Sequence, residues 1–234
     1  MKLLYDLHTH TVFSHGTGNI EENVKVAKQK GLTKIGITDH GFEHLSFALK
    51  RKNLPLMKEE CERLSKLYNI EVLLGVEANL LDRTGRIDVK EEDLKYLDYV
   101  IMGYHKLVKP KPKQFLWSLK TKIFKGKKQI EENTNAYIKA INKYNIKFIT
   151  HLNYGIKVNV KRLVDECNKL GVLIELNGKR ISFNEEEINY MKETNTKFIL
   201  SSDAHKAKKV GETNVGYKFI LKNNINLNNV VNCE

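Results

Sequence analysis

The residues best suited to chemistry begin at Asp6-Leu7-His8-Thr9-His10-Thr11, with His15 shortly after. Residues two apart on a strand face the same way, so His8 and His10 project together from the end of the apolar run Leu3-Leu4-Tyr5. Two neutral imidazoles on one face make a metal-binding pair. Alone, such a pair also describes two surface histidines in a turn, and the other histidines weigh against that. The chain has eight histidines. Seven of them, His8, His10, His15, His40, His105, His151 and His205, stand at or just beyond the C-terminal end of a predicted strand, as do Glu77 and Asp203. In a βα barrel all those ends open onto one face, where active sites of that architecture lie. Nine imidazole and carboxylate groups are too many for one tetrahedral zinc. They suit two or three clustered ions bridged by a carboxylate, and a histidine-rich set favours Zn, Mn or Fe over Mg or Ca. Ions about 3.5–4 Å apart are characteristic of phosphatases and nucleases.

To gather such a set, apolar β-rich runs must alternate with helices. The strands are read as Leu3 to His8, Lys34 to Thr38, Glu71 to Val76, Tyr99 to Gly103, Lys147 to Thr150, Val172 to Leu176 and Lys197 to Leu200. Helices are expected at Glu21 to Gln29, Pro55 to Tyr68, Lys90 to Leu97, Gln129 to Tyr144, Val160 to Leu170 and Glu185 to Glu193. Asp82-Arg83-Thr84-Gly85 reads as a turn, Phe115 to Ile123 as a weak helical stripe, and Val215 to Asn232 as one or two short helices. Seven strands alternating with helices imply a parallel sheet, open or closed into a barrel. No linker or longer repeat interrupts the pattern, so residues 1–234 are read as one domain.

Composition narrows the classes further. A chain of 234 residues with 41% hydrophobic content suits a single α/β barrel. Cys61, Cys167 and Cys233 are odd in number and far apart, which argues against a disulfide framework and for a reducing compartment. No apolar run reaches the roughly 20 residues of a membrane span, and the short N-terminal apolar run does not make a signal peptide. A cytoplasmic enzyme without membrane contact is the expectation. The net charge of +12 is uneven: Lys106 to Lys128 holds nine lysines and no acidic residue. That stretch suits an anionic partner, or simply a solvated lysine-rich face.

The chain resembles the PHP (polymerase and histidinol phosphatase) family of metal-dependent phosphoesterases, most closely its small stand-alone bacterial phosphatases. Asp6-Leu7-His8-Thr9-His10-Thr11, Ile37-Thr38-Asp39-His40-Gly41, Gly75-Val76-Glu77-Ala78-Asn79, Gly103-Tyr104-His105, Thr150-His151 and Ser202-Asp203-Ala204-His205 carry the resemblance, in family order. It implies a distorted seven-stranded (β/α)7 barrel with a trinuclear site. On the family pattern, His8, His10, Glu77 and Asp203 hold one ion, and His15, His40 and His205 a second. Glu77, His105 and His151 hold the third, with Glu77 bridging. Asp39, Glu77 and Asp203 are the expected catalytic carboxylates, with Asp39 behind the ligands, orienting them or polarising an imidazole; it could equally cap a turn. The family usually shows a proline after the histidine at 151, where this chain has Leu152, and Asn177-Gly178-Lys179-Arg180 also departs from its pattern.

The leading expectation is a phosphatase acting on a small phosphorylated metabolite, histidinol phosphate being a candidate by resemblance. A metal-bridging hydroxide would attack phosphorus. Lys106 and Arg180 are candidate contacts for the substrate phosphate. Lys179 shares the position after the sixth strand, and surface charge explains it and Arg180 equally well. Trp117 and Phe115 read as packing, and His44 as surface or pocket rim. The alternatives are a nuclease or nucleotide phosphoesterase using Lys106 to Lys128, a non-catalytic metal-binding module, and an amidohydrolase. Barrels of that last class typically have eight strands and often a bridging lysine.

Overall fold

A computed structural model describes residues 1–108, 115–123 and 126–234. The apolar runs form seven parallel strands in chain order: β1 (Tyr5–Thr9), β2 (Lys34–Ile37), β3 (Glu71–Asn79), β4 (Tyr99–Gly103), β5 (Ile146–Ile149), β6 (Leu173–Asn177) and β7 (Phe198–Ser201). Between and after them run α1 (Ile20–Gln29), α2 (Leu54–Tyr68), α3 (Glu91–Leu94), α4 (Phe115–Ile123), α5 (Lys127–Lys143), α6 (Val160–Leu170), α7 (Glu185–Glu193) and α8 (Asn214–Lys222). Local signals explain the helix ends. Asn19 and Asn184 accept from the backbone of Glu22 and Glu187, whose side chains reach back to the cap. Asn69 and Gly171 end α2 and α6 in the left-handed conformation.

Two apolar layers hold the barrel. The inner layer packs Leu7, Ile101, Phe148 and Ile199, with Tyr5, Leu73, Tyr99 and Leu173 against them. The outer layer lies between strands and helices and includes Val24, Leu64, Leu163 and Val164, all fully buried. Fully burying one such side chain contributes about 1.5–3 kcal/mol. On β3, β4 and β6 strict alternation puts Leu73, Tyr99 and Leu173 inside, and two or four residues on it puts Glu77, Gly103 and Glu175 above them. On β1 alternation alone would send His8 outward, since Leu7 is inside. The register with β2 slips between Asp6 and Thr9, and this bulge turns His8 inward as well.

The barrel closes without a ladder between β1 and β7 among the described residues. At the top, the His10 amide donates to Ala204 O at 2.8 Å and the Ala204 amide to His8 O at 3.3 Å. Lower down, the C-terminal segment fills the seam. The Asn232 side chain donates to Tyr5 O and Leu200 O, each at 2.7 Å, and accepts from the Leu200 amide at 2.9 Å.

Two expectations shift. β3 runs on to Asn79 because its register with β4 continues to Asn79 opposite Gly103, so Glu77 lies inside the strand. The helix expected from Lys90 to Leu97 stops at Leu94. Within the basic stretch from Lys106 to Lys128, residues 109–114 and 124–125 lie outside the described residues. Trp117 is buried against Tyr104, a packing role. No helix among the described residues is long and apolar enough to cross a membrane.

Candidate metal centre

Glu77 is the hub. Its buried carboxylate reaches five imidazoles from four strand ends. His151 Nε2 lies 2.8 Å away, His40 Nδ1 2.9 Å, His105 Nε2 3.4 Å, His8 Nε2 3.5 Å and His10 Nε2 3.7 Å. Asp203 Oδ1 lies 3.3 Å from His205 Nδ1 and 3.4 Å from His10 Nε2. Three groups of donor atoms fall within 4.8 Å of one another: His8, His10 and Asp203; His10, His40 and His205; His40, Glu77 and His105. His151 joins through Glu77. His15 stands further out, its ring centroid 4.8 Å from that of His205 and its face stacked on Phe47 at 3.9 Å. The seven histidines picked out by sequence thus share one face with both carboxylates.

Other side chains aim the donors. Glu175 on β6 accepts from His8 Nδ1 and the His151 amide, both at 2.6 Å, and from Asn177 Nδ2 at 3.0 Å and Ser201 Oγ at 2.5 Å. The bond to Nδ1 leaves Nε2 of His8 as the free donor atom. His105 Nδ1 is held 2.7 Å from Asn79 Oδ1, while the Asn79 amide group is held by Asp88. Asp6 accepts from Ser202 and from the Gly211 amide, pinning the loop that carries Asp203 and His205. Asp39 accepts from the amide and hydroxyl of Thr11 and from Ser14 Oγ. Its oxygens are engaged with the loop leading to His15 and not with an imidazole, which is the turn-capping alternative. Sequence reasoning missed Glu175, Asn79 and Asp88. The signal for Glu175 was an acidic residue on the inward face of an otherwise apolar strand.

The backbone is strained at two donors. Among the described non-glycine residues with positive φ, four are asparagines, and the others are His151 (φ 29°) and Asp203 (φ 51°). Asparagine, aspartate and histidine enter that region more readily than other side chains, yet holding a non-glycine residue there costs of order 1–3 kcal/mol, and two of the six such positions carry donors.

Electrostatics fit a cation. Burial opposes ionisation of Glu77, but His105 and His8 outweigh it and hold the carboxyl well below the usual range. His8 and His10 do the same for Asp203. Burial holds His10 well below the usual imidazole value and takes His40 to about 4. His8 and His151 are the exceptions: Glu77, Glu175 and Asp203 overcome burial, taking His8 well above the ordinary imidazole value and raising His151 as well. His10 Nδ1 and His151 Nδ1 are buried without a hydrogen-bond partner among the described residues, and His40 Nδ1 and Glu77 Oε2 face each other at 2.9 Å without hydrogen-bond geometry. Buried polar atoms are seldom left so, and cation binding accounts for the arrangement.

The donors floor a cleft of about 720 Å³. Lys106, Lys179, Arg180 and Lys206 stand in its walls. The Arg180 guanidinium lies over the Tyr154 ring at 4.2 Å. Lys179 Nζ is 3.0 Å from Asp203 Oδ1 and 2.7 Å from His205 Nδ1, which places its charge among the donors themselves. His44, read from sequence as surface or rim, is buried in the wall and stacked on His40; its Nδ1 accepts from the amides of Ser46 and Phe47. Those two bonds put its proton on Nε2.

Comparison with known proteins gives a consistent picture. The family model described as "PHP domain" matches residues 6–223. A "probable phosphatase" of Caldanaerobacter subterraneus subsp. tengcongensis is 32% identical over 88% of this chain and 77% of its own. One from Thermoanaerobacter sp. is 31% identical over 100% and 92%. Among solved structures, a histidinol phosphate phosphatase from Lactococcus lactis subsp. lactis, complexed with zinc, L-histidinol and phosphate, superposes with a TM-score of 0.64 at 18% identity. That match covers 97% of this chain and 95% of the other, and it shows the shared fold.

Proposed function

The chain belongs to the PHP domain family and is a hydrolase of phosphoric esters; from that premise we propose that it cleaves small phosphomonoesters at a trinuclear metal site. The observation that carries the reading is one buried carboxylate, Glu77, with five imidazole nitrogens within 3.7 Å. The proposed holders are His8, His10, Glu77 and Asp203 for one ion, His15, His40 and His205 for the second, and Glu77, His105 and His151 for the third. Bound there, Zn, Mn or Fe would supply Lewis acidity to the phosphoryl oxygens and a nucleophile from water near neutral pH.

The chain's own residues do the rest. Lys106 and Arg180 face the cleft and are proposed to hold non-reacting phosphate oxygens; stacking on Tyr154 keeps the Arg180 fork in place before substrate arrives. Glu77 and Asp203 are the proposed catalytic carboxylates, ionised at neutral pH. Asp39 serves by fixing the loop that presents His15. Three unpaired thiols support a cytoplasmic setting.

Release of phosphate from p-nitrophenyl phosphate by zinc- or manganese-loaded protein tests this. Glu77→Gln should lower kcat/KM by at least about a hundredfold, as expected when a charged bridging group is lost. Absence of turnover on a broad panel of phosphomonoesters would overturn the proposal.

A further inference from the structure

A second cavity, of about 420 Å³, adjoins the metal cleft and shares Lys179, His205 and Lys206 with it. The two are lobes of one depression. Lys208, Lys209 and Glu212 complete the charged lining of the second lobe. Its charge is one-sided. The single carboxylate among its described lining residues, Glu212, is matched by Lys209 at 2.6 Å. Lys206 and Lys208 have no ion-pair partner among the described residues, and Lys179 is committed to Asp203 and His205. The loop bearing these lysines is fixed. Lys30 Nζ donates to Lys208 O at 3.3 Å and Val210 O at 2.6 Å, and the Lys209 amide donates to Lys206 O at 2.8 Å. Beneath, Gly178 packs so closely against Glu212 O and Ser201 O that no β-carbon fits. A rigid loop has thus been given two unbalanced cations beside a site built for phosphate. The mouth of the metal cleft repeats the sign, since its only carboxylates among the described residues, Glu77 and Asp203, belong to the metal centre.

Resting on the phosphomonoesterase reading, we infer that this lobe receives a second anionic group of the substrate: the preferred substrates are small phosphomonoesters that also bear a carboxylate or a second phosphate. Cations in a cleft with low-dielectric walls focus their field and make charge-assisted hydrogen bonds. The same field repels an ammonium group. A substrate such as histidinol phosphate, carrying an amine beside its phosphate, is disfavoured here.

The test is a graded series on metal-loaded protein: glycerol phosphate, which has no second anion, then phosphoglycerate and bisphosphoglycerate, with histidinol phosphate as the cationic counterpart. One or both anionic compounds should exceed glycerol phosphate in kcat/KM by about tenfold, chiefly through KM, and histidinol phosphate should fall below it. The carboxylate and phosphate arms identify which second group is read. Lys208→Glu, an exposed substitution in the second lobe only, should reduce that advantage to about twofold or less, and calorimetry on the same protein should show phosphoglycerate binding weakened about tenfold. If glycerol phosphate is cleaved but a second anion brings no advantage, or the advantage survives Lys208→Glu, this inference falls and the phosphomonoesterase reading stands. If no phosphomonoester is cleaved, both fall.

Discussion

Glu175 is the residue whose loss should be most informative, because it acts on the metal centre only through others. It touches His8, the His151 amide, Asn177 and Ser201, and so sets the direction of donors from β1 and β5. Glu175→Gln preserves shape but replaces one acceptor oxygen with a donor, which removes the acceptor either of His8 Nδ1–H and Ser201 Oγ–H, which share Oε1, or of the His151 amide and Asn177 Nδ2, which share Oε2. Zinc affinity, read by competition with a chelator, should drop about 10–100-fold, the usual cost of losing a partner that orients a ligand. Circular dichroism should be unchanged, and unaltered zinc affinity would remove the role assigned to Glu175. The contrast between ligands and their supports shows what sequence could reveal at this scale. His8, His10, Glu77 and Asp203 were readable because imidazoles and carboxylates recurring at strand ends have few other uses. Asn79 and Asp88 were not, because their effect on His105 depends on a contact between the end of β3 and the loop after it. His44, read as surface or pocket rim, does line the cleft, but its burial was not legible because it follows no strand; the loop carrying it is tied to the β4 exit, with the Leu45 amide donating to Leu107 O at 2.8 Å.

Strands divide into a lower part that fills the barrel and an upper part that floors the cleft, and two glycines on inward-facing positions separate these jobs. A β-carbon on Gly36 of β2 would collide with the Tyr99 hydroxyl, which donates to Leu7 O at 2.9 Å inside the barrel. One on Gly103 of β4 would collide with Thr150 Oγ and come within 2.8 Å of His151 Cε1 and 3.3 Å of Glu77 Oε1. Gly36→Ala should therefore lower stability by about 1–3 kcal/mol, the usual cost of overpacking, with metal affinity retained in the folded protein. Gly103→Ala should do the reverse in emphasis: metal affinity falls at least about tenfold while denaturant unfolding shifts less than for Gly36→Ala. Equal effects of the two substitutions on both readouts would refute the division. Element existence and order were legible because the apolar runs are short, β-branched and separated by capped helices. Boundaries were less so: β3 gains Glu77 to Asn79 from pairing with β4, and no local pattern could announce that partner.

Over the whole molecule the weak line is the seam where β1 meets β7 without a ladder. Asn232 closes its lower end with three hydrogen bonds, and Asn232→Ala would leave Tyr5 O, Leu200 O and the Leu200 amide without that partner. A loss of about 2–4 kcal/mol in urea unfolding is expected, since each abandoned buried group costs of order 1–3 kcal/mol. The upper end is where the metal centre sits. Its donors come from β1, β2, β3, β4, β5 and β7 exits, so cations there would join the first strand to the last across the same seam. The alternation of strands and helices left the sheet open or closed; the family motifs supplied the barrel, and nothing local in the sequence marked Asn232 as the residue that fills its seam. The physical consequence is measurable without any substrate. A cation that binds the folded chain and not the unfolded one stabilises it by mass action, about 2.7 kcal/mol at a hundredfold excess over Kd. For a chain of this length, that corresponds to a rise in Tm of about 5–10 °C on adding zinc or manganese to chelator-treated protein. Calcium, which prefers oxygen donors, should produce little of this rise. A Tm indifferent to transition metals would mean that the donors gathered on this face do not bind cations together, and the proposed chemistry would lose its basis.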